Sequence, residues 1–162
     1  MAVLDSNEIF FTAFEPKQQH RFILYMDGVP SYTVKGLSSI GLTQNAITIN
    51  YINTYRKIKG KTVWDPITLT LHDPITPSGA QAVMEWVRLG HESVTGRDGY
   101  SDFDKKDLTL DILGPVGDVV SEWIIKGAII TNATFGDYNY DNTENPQEIS
   151  LTLDMDYCVL NF

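Results

Sequence analysis

The stretch EISLTLDMDY, Glu148–Tyr157, alternates apolar and polar residues without a break. Successive side chains of an extended strand point to opposite faces. Ile149, Leu151, Leu153, Met155 and Tyr157 therefore share one face, and Glu148, Ser150, Thr152, Asp154 and Asp156 the other. The apolar row needs a core to cover it. The polar row, with three carboxylates on it, faces something else, and what it faces bears directly on what the chain does.

The same period recurs along the chain. In ITLTLHD, Ile67, Leu69 and Leu71 alternate with Thr68, Thr70 and His72, and AITINYI (Ala46–Ile52) is rich in Ile, Thr and aromatic residues. Arg21–Met26 and Ser31–Val34 flank Asp27-Gly28, which predicts a hairpin. LTLDILG (Leu108–Gly114) and Asp118–Phe135 read as strands, the second kinked at Gly127. One helix is predicted over about 77–91, with Ala80, Val83, Met84 and Val87 on one face, widened by Trp86 and Leu89. Pro77 suits its first turn, Ser78 with Gln81 resembles a capping box, and Gly90 is a natural stop. Roughly eight short strands and one helix predict a mainly β fold, an antiparallel sandwich or barrel with the helix packed on it. The 162 residues suit a single domain, 1–162. The polar stretches 93–107 and 136–147 read as exposed loops.

The net charge of -9 argues against ordinary nucleic-acid binding, which neutralises phosphates with Lys and Arg. It fits a solvated acidic surface, a basic partner, or a wall that repels an anion. The excess lies in the second half: residues 1–92 hold 8 acidic and 8 basic side chains, residues 93–162 hold 13 and 4. No apolar run reaches the roughly 18 residues of a membrane span, and the N-terminus lacks the basic start and apolar stretch of a signal peptide. A lone cysteine, Cys158, fits a reducing compartment.

The search for chemistry returns little. His20, His72 and His91 have no second His or Cys at a ligand spacing, so no zinc site is predicted. DGYSDFDKKD gathers Asp98, Asp102, Asp104 and Asp107 but lacks the glycine and terminal glutamate of a calcium loop. Asn132-Ala133-Thr134 fits a glycosylation sequon, which a chain without a signal peptide would not present to the enzyme. Asp154 and Asp156 share a strand face with no partner nearby, so an acidic sheet face describes them better than a catalytic pair. The expectation is no enzyme activity, no cofactor and no metal. The sharper feature is YRKIKGKT, with Arg56, Lys57, Lys59 and Lys61 close together. It reads either as a solvated hairpin tip or as an arm that docks on an acidic surface of another copy.

In four segments the chain resembles the tail tube protein of contractile-tailed bacteriophages, a family related to the tube proteins of bacterial contractile injection systems. RFILYMDGVPSYTVKGLSSIGL resembles its early strand pair, and AITINYINTYRKIKGKTVWDPITLTLHD its long hairpin, over about 46–72, with a basic middle. AQAVMEWVRLGH is similar to its helix, and NPQEISLTLDMDY to its terminal strand; IIKGAIITN also looks like its strand with a Lys-Gly step. The likeness spans residues 15–160. It implies a β-sandwich with one flanking helix, six copies to a ring, and rings stacked into a hollow inner tail tube. It implies as partners other copies of the chain, a contractile sheath, baseplate and terminator proteins, and transiting DNA that is not held tightly, in a virion assembled in the host cytoplasm.

Carried onto this sequence, the resemblance makes the hairpin arm, with Asn53, Tyr55, Arg56, Lys57, Ile58, Lys59 and Lys61, the subunit and ring interface. Tyr55, Ile58 and Val63 are its expected apolar anchors. It offers the lumen as what Glu148, Ser150, Thr152, Asp154 and Asp156 face, an acidic wall along which DNA would slide; a face toward sheath or solvent is the alternative. The extension Met1–Phe14, apolar at Ile9, Phe10, Phe11 and Phe14, and the loop 93–107 are departures. They leave open a tube-initiating or tube-terminating relative. Outside the resemblance two readings stand beside it: a monomeric acidic β-sandwich that binds a basic ligand or calcium, and a small β-barrel enzyme using Asp154, Asp156 or His72.

Overall fold

The computed structural model describes residues 15–162, so the extension Met1–Phe14 lies outside the described residues. Along the chain come β1 (Phe22–Tyr25), β2 (Val34–Leu37), β3 (Leu42–Asn50), β4 (Tyr55–Trp64), β5 (Ile67–His72), α1 (Gly79–Gly90), β6 (Lys106–Leu113), β7 (Val119–Thr134), β8 (Glu148–Asp154) and β9 (Tyr157–Leu160). The hydrogen-bonded order is β1-β6-β7-β8-β5-β2, with β9 also on β7, and β3-β4 forms a two-stranded sheet of its own. Every pairing is antiparallel.

The long β7, 16 residues, makes this a sandwich. Its first half pairs β6 and β9 in one layer, and its second half pairs β8 in the other. The change of layer falls beside Gly127, whose φ of 67° is left-handed. This is the kink expected from the sequence. A Cβ there would lie 2.2 Å from Asp156 Oδ2. Gly127→Ala should therefore cost about 1.5–3 kcal/mol, from left-handed strain plus the displaced carboxylate. Chemical denaturation of the purified chain measures it, and a loss under about 0.5 kcal/mol would remove Gly127 from this role.

Between the layers the alternation does what periodicity demands. Ile67, Leu69 and Leu71 of β5 and Ile149, Leu151 and Leu153 of β8 are all buried, opposite Leu24 of β1, Leu108 of β6 and Ile125 of β7. Ser78 caps α1 by accepting from the Gln81 N–H at 3.4 Å. The helix leaves the end of β5 and returns to the start of β6. Its Trp86 is buried, donates Nε1–H to the Asp104 carbonyl at 2.6 Å, and carries Lys106 Nζ 5.1 Å from its ring.

Several expectations need correction. Asp27-Gly28 does turn, with Met26 bridging Val29, but β1 pairs β6 and β2 pairs β5, so the flanking strands enter different layers instead of forming a hairpin. Ser31–Thr33 is one 3-10 turn, and the strand begins only at Val34. The long hairpin is Leu42–Trp64, not 46–72, because β5 belongs to the sandwich. Pro77 precedes the Ser78 cap and is not in the first helical turn, and Leu89 is half-exposed. The terminal strand breaks after Asp154; Met155 is still buried, but Tyr157 starts β9 and is exposed.

Candidate subunit interface

The basic run is strand, not loop. Tyr55, Arg56, Lys57, Ile58, Lys59 and Lys61 all lie in β4, paired along its length with β3. Asn53 sits in the turn that joins them, which closes with the Tyr51 N–H donating to the Thr54 carbonyl at 2.8 Å. At the base, Trp64 packs edge-on to Trp123 of β7, ring centroids 6.5 Å apart. There the Asp65 N–H also donates to the Gly41 carbonyl at 3.0 Å, and Thr43 Oγ1 to Asp65 Oδ1 at 2.9 Å. The arm is thus anchored at its root, while β3 is exposed along its whole length and β4 along most of it.

Directly opposed residues of an antiparallel pair share a face. Ile47 opposes Ile58, Ile49 opposes Arg56 and Thr43 opposes Val63. These make one face, apolar at its centre, with the Arg56 guanidinium near the tip and Asn45 and Lys61 at the bulge between Ile58 and Val63. Ala46 opposes Lys59, Thr48 opposes Lys57 and Asn50 opposes Tyr55 on the other face. Lys57 Nζ sits there 5.8 Å from the Tyr55 ring centroid. The register slips between Gln44 and Ala46, where Asn45 stands against Gly60 and Lys61. A Cβ at Gly60 would lie 2.9 Å from the Asn45 carbonyl oxygen, so this bulge needs glycine. The expected anchors are therefore divided: Ile58 and Val63 join Ile47 and Ile49, while Tyr55 points away with Lys57 and Lys59.

That stripe is out of place on a free chain. Ile47 is 57% exposed, Ile49 37%, Ile58 46% and Val63 48%. A two-stranded ribbon is marginal in water without a surface to cover its apolar face.

The polar row of β8 lies on the outer face of the second layer. Register sets Thr68, Thr70 and His72 of β5 beside Thr152, Ser150 and Glu148, and Asn132 and Thr134 of β7 beside Thr152 and Ser150. The face is mostly hydroxyl, not acid. Glu148 is paired with Lys35, and Asp154 Oδ1 accepts from the Met155 N–H at 3.0 Å. Asp156 does not belong to this row: it follows β8 and pairs with Lys105 at 3.0 Å. His72 opposes Glu148 while Asp154 is at the far end of β8, about 20 Å along the strand, so the candidate catalytic residues do not converge. No group of three or more His, Cys, Asp or Glu converges on a metal-sized site among the described residues.

No protein-family model matches this chain, and no curated protein does. Solved structures do. A chain of the anti-feeding prophage tube-terminating cap superposes with a TM-score of 0.74 at 18% identity, covering 93% of each chain. A chain from the sheath/tube terminator of the PVC extracellular contractile injection system in its extended state gives 0.74 at 16%, covering 93% of this chain and 100% of that one. One from the extended PVC sheath-tube complex gives 0.71 at 16%, covering 98% and 99%. The fold is that of contractile injection system tube proteins.

Within this tube fold, sequence reasoning found the arm but missed that β3 carries half of its apolar face. The signal was present, since Ile47 and Ile49 alternate with Thr48 and Asn50. It also missed the outer face of the first layer. There Asp111 opposes Ile23 on one side and Glu122 on the other. Asp111 Oδ1 is closed off from solvent and has no hydrogen-bond partner among the described residues. Burial, then the Glu122 charge, push its carboxyl above the usual range. Asp107 behaves oppositely: Lys126 and the Gly127 N–H hold its carboxyl below the usual range.

Proposed function

We propose that this chain is a structural subunit of the hollow inner tube of a contractile tail or injection machine. Six copies form a ring, and rings stack inside a sheath on a baseplate. The observation that carries this reading is the amphipathic arm β3–β4: a strand ribbon anchored at its root, with an exposed apolar face, on a tube fold. A monomeric binding module has no use for such an arm, whereas a subunit in a stack covers it against the next copy. Closure through neighbours also removes the free edges of both layers.

In this reading Asn53, Tyr55, Arg56, Lys57, Ile58, Lys59 and Lys61 lie at the subunit interface. The outer face of the second layer, with Glu148, Ser150, Thr152 and Asp154, lines the lumen. Neutral hydroxyls and paired carboxylates give a polyanion little to hold it. That suits passage of DNA in a phage tail, with assembly in the host cytoplasm, and equally of a protein cargo in an injection system. The chain acts without catalysis or cofactor.

A second reading, a cap subunit at the end of the tube, is favoured by the similarity to tube-terminator structures. Negative-stain electron microscopy of the concentrated protein, alone and with sheath and baseplate, tests both. Sixfold rings that extend into tubes support a main tube subunit, and rings that form only at tube ends support a cap. A monomer under all these conditions overturns the proposal.

A further inference from the structure

The arm's apolar face needs a surface that matches it in spacing and in charge, and the outer face of the first layer supplies one. Its four strands are in register. Tyr25, Thr109, Ile124 and Val159 form one cross-strand row. Ile23, Asp111 and Glu122 form the next, where Glu122 Oε1 also accepts from Asn161 Nδ2–H at 2.8 Å. Tyr25 is 47% and Val159 40% exposed, so the first row is an uncovered, largely apolar strip. The two rows are two residues apart along each strand, about 6.8 Å.

The arm has the same step. The row Ile47–Ile58 is two residues from the row Ile49–Arg56. Laid face to face, Ile47 and Ile58 over the Tyr25–Ile124 row bring Arg56 over Asp111 and Glu122. The reverse direction would bring Arg56 toward Lys126, already paired with Asp107 at 3.0 Å. It would also bring Lys61, at the bulge, toward the carboxylates; only the planar fork of Arg56 can engage two carboxylates at once, which favours the first direction.

We infer that the outer face of β1, β6, β7 and β9 is the docking surface for the β3–β4 arm of a second copy, with Arg56 of the incoming arm bridging Asp111 and Glu122. The inference rests on the tube reading and names the surface that the reading leaves open. It explains an otherwise unfavourable pair. Two carboxylates directly opposite each other repel, and one has a buried oxygen with no partner among the described residues. A guanidinium presents a fork of donors that fits both.

The test is a charge exchange followed by sedimentation and electron microscopy. Arg56→Glu and Glu122→Arg should each raise the critical concentration for assembly by about tenfold or more. The two changes together should bring it back to within about threefold of the native value. Asp111→Asn, nearly isosteric, should raise the melting temperature of the unassembled chain yet weaken assembly. A purely structural Asp111 would move both in the same direction. Glu122→Arg or Asp111→Asn assembling like the native protein overturns the docking surface and leaves the tube reading intact. Weakened single variants without recovery in the double variant would show that the arm docks elsewhere. A native chain that never assembles overturns both readings.

Discussion

Trp86→Ala should lower stability by about 3–5 kcal/mol, the largest single loss expected in this chain. Trp86 is 1% exposed, so its truncation empties a large volume under α1. It also removes the hydrogen bond to the Asp104 carbonyl at 2.6 Å and the ring beneath Lys106 Nζ. These contacts tie the helix to the approach to β6, and without them α1 is held by Val83, the Ser78 cap and the Asp73 carboxylate that accepts from the Gly79 and Ala80 N–H groups. Since whole domains of this kind are stable by only about 5–15 kcal/mol, the melting temperature should fall by roughly 6–20 °C. Trp86→Phe keeps most of the volume and should lose about 1–2 kcal/mol, the hydrogen-bond share. Urea unfolding of both variants separates the two contributions. If Trp86→Ala loses less than about 1.5 kcal/mol, the helix is not anchored through this ring.

Ile47→Lys combined with Ile58→Lys should abolish assembly and leave the free subunit intact. The two side chains oppose each other at the centre of the arm, 57% and 46% exposed. Substitutions at such exposed positions usually change stability by no more than about 0.5 kcal/mol, so the melting temperature should barely move. In a covered interface each buried isoleucine contributes about 1.5–3 kcal/mol at full burial, and an unpaired lysine adds a desolvation cost. Repeated at every contact of a ring and stack, that loss should exceed anything concentration restores. Size-exclusion chromatography with light scattering would report a monodisperse monomer. Tubes of normal length from the double-lysine variant would mean that the apolar face of the arm is not an interface.

Much of the architecture is written in local periodicity. The alternation in Ile67–His72 and Glu148–Asp154 sorted every core residue of those strands correctly, because a period of two admits only one assignment of faces once a core exists. The cap at Ser78, the helix and the kink at Gly127 were legible for the same reason: each depends on the backbone preferences of a few adjacent residues.

Pairing was not legible. Asp27-Gly28 carries a strong hairpin signal, yet the chain runs through a 3-10 turn and the flanking strands join opposite layers. A turn motif specifies the local bend, while strand partners are chosen by burial over the whole chain. The arm repeats the lesson. The four basic residues read as a hairpin tip or a docking arm, and they lie along a paired strand, which tolerates lysine wherever its partner strand supplies the hydrogen bonds. Charge was the least legible property. The acidic row proposed from Glu148, Asp154 and Asp156 is largely matched or turned aside by Lys35, the Met155 N–H and Lys105. Among the described residues, the buried carboxylate oxygen without a partner belongs instead to Asp111, in a segment read only as a strand. The sequence by itself determined which residues go inside, because that follows from spacing along one strand. Only the tertiary structure decided which faces and charges remain unmatched outside, because each match is made by a residue distant in sequence.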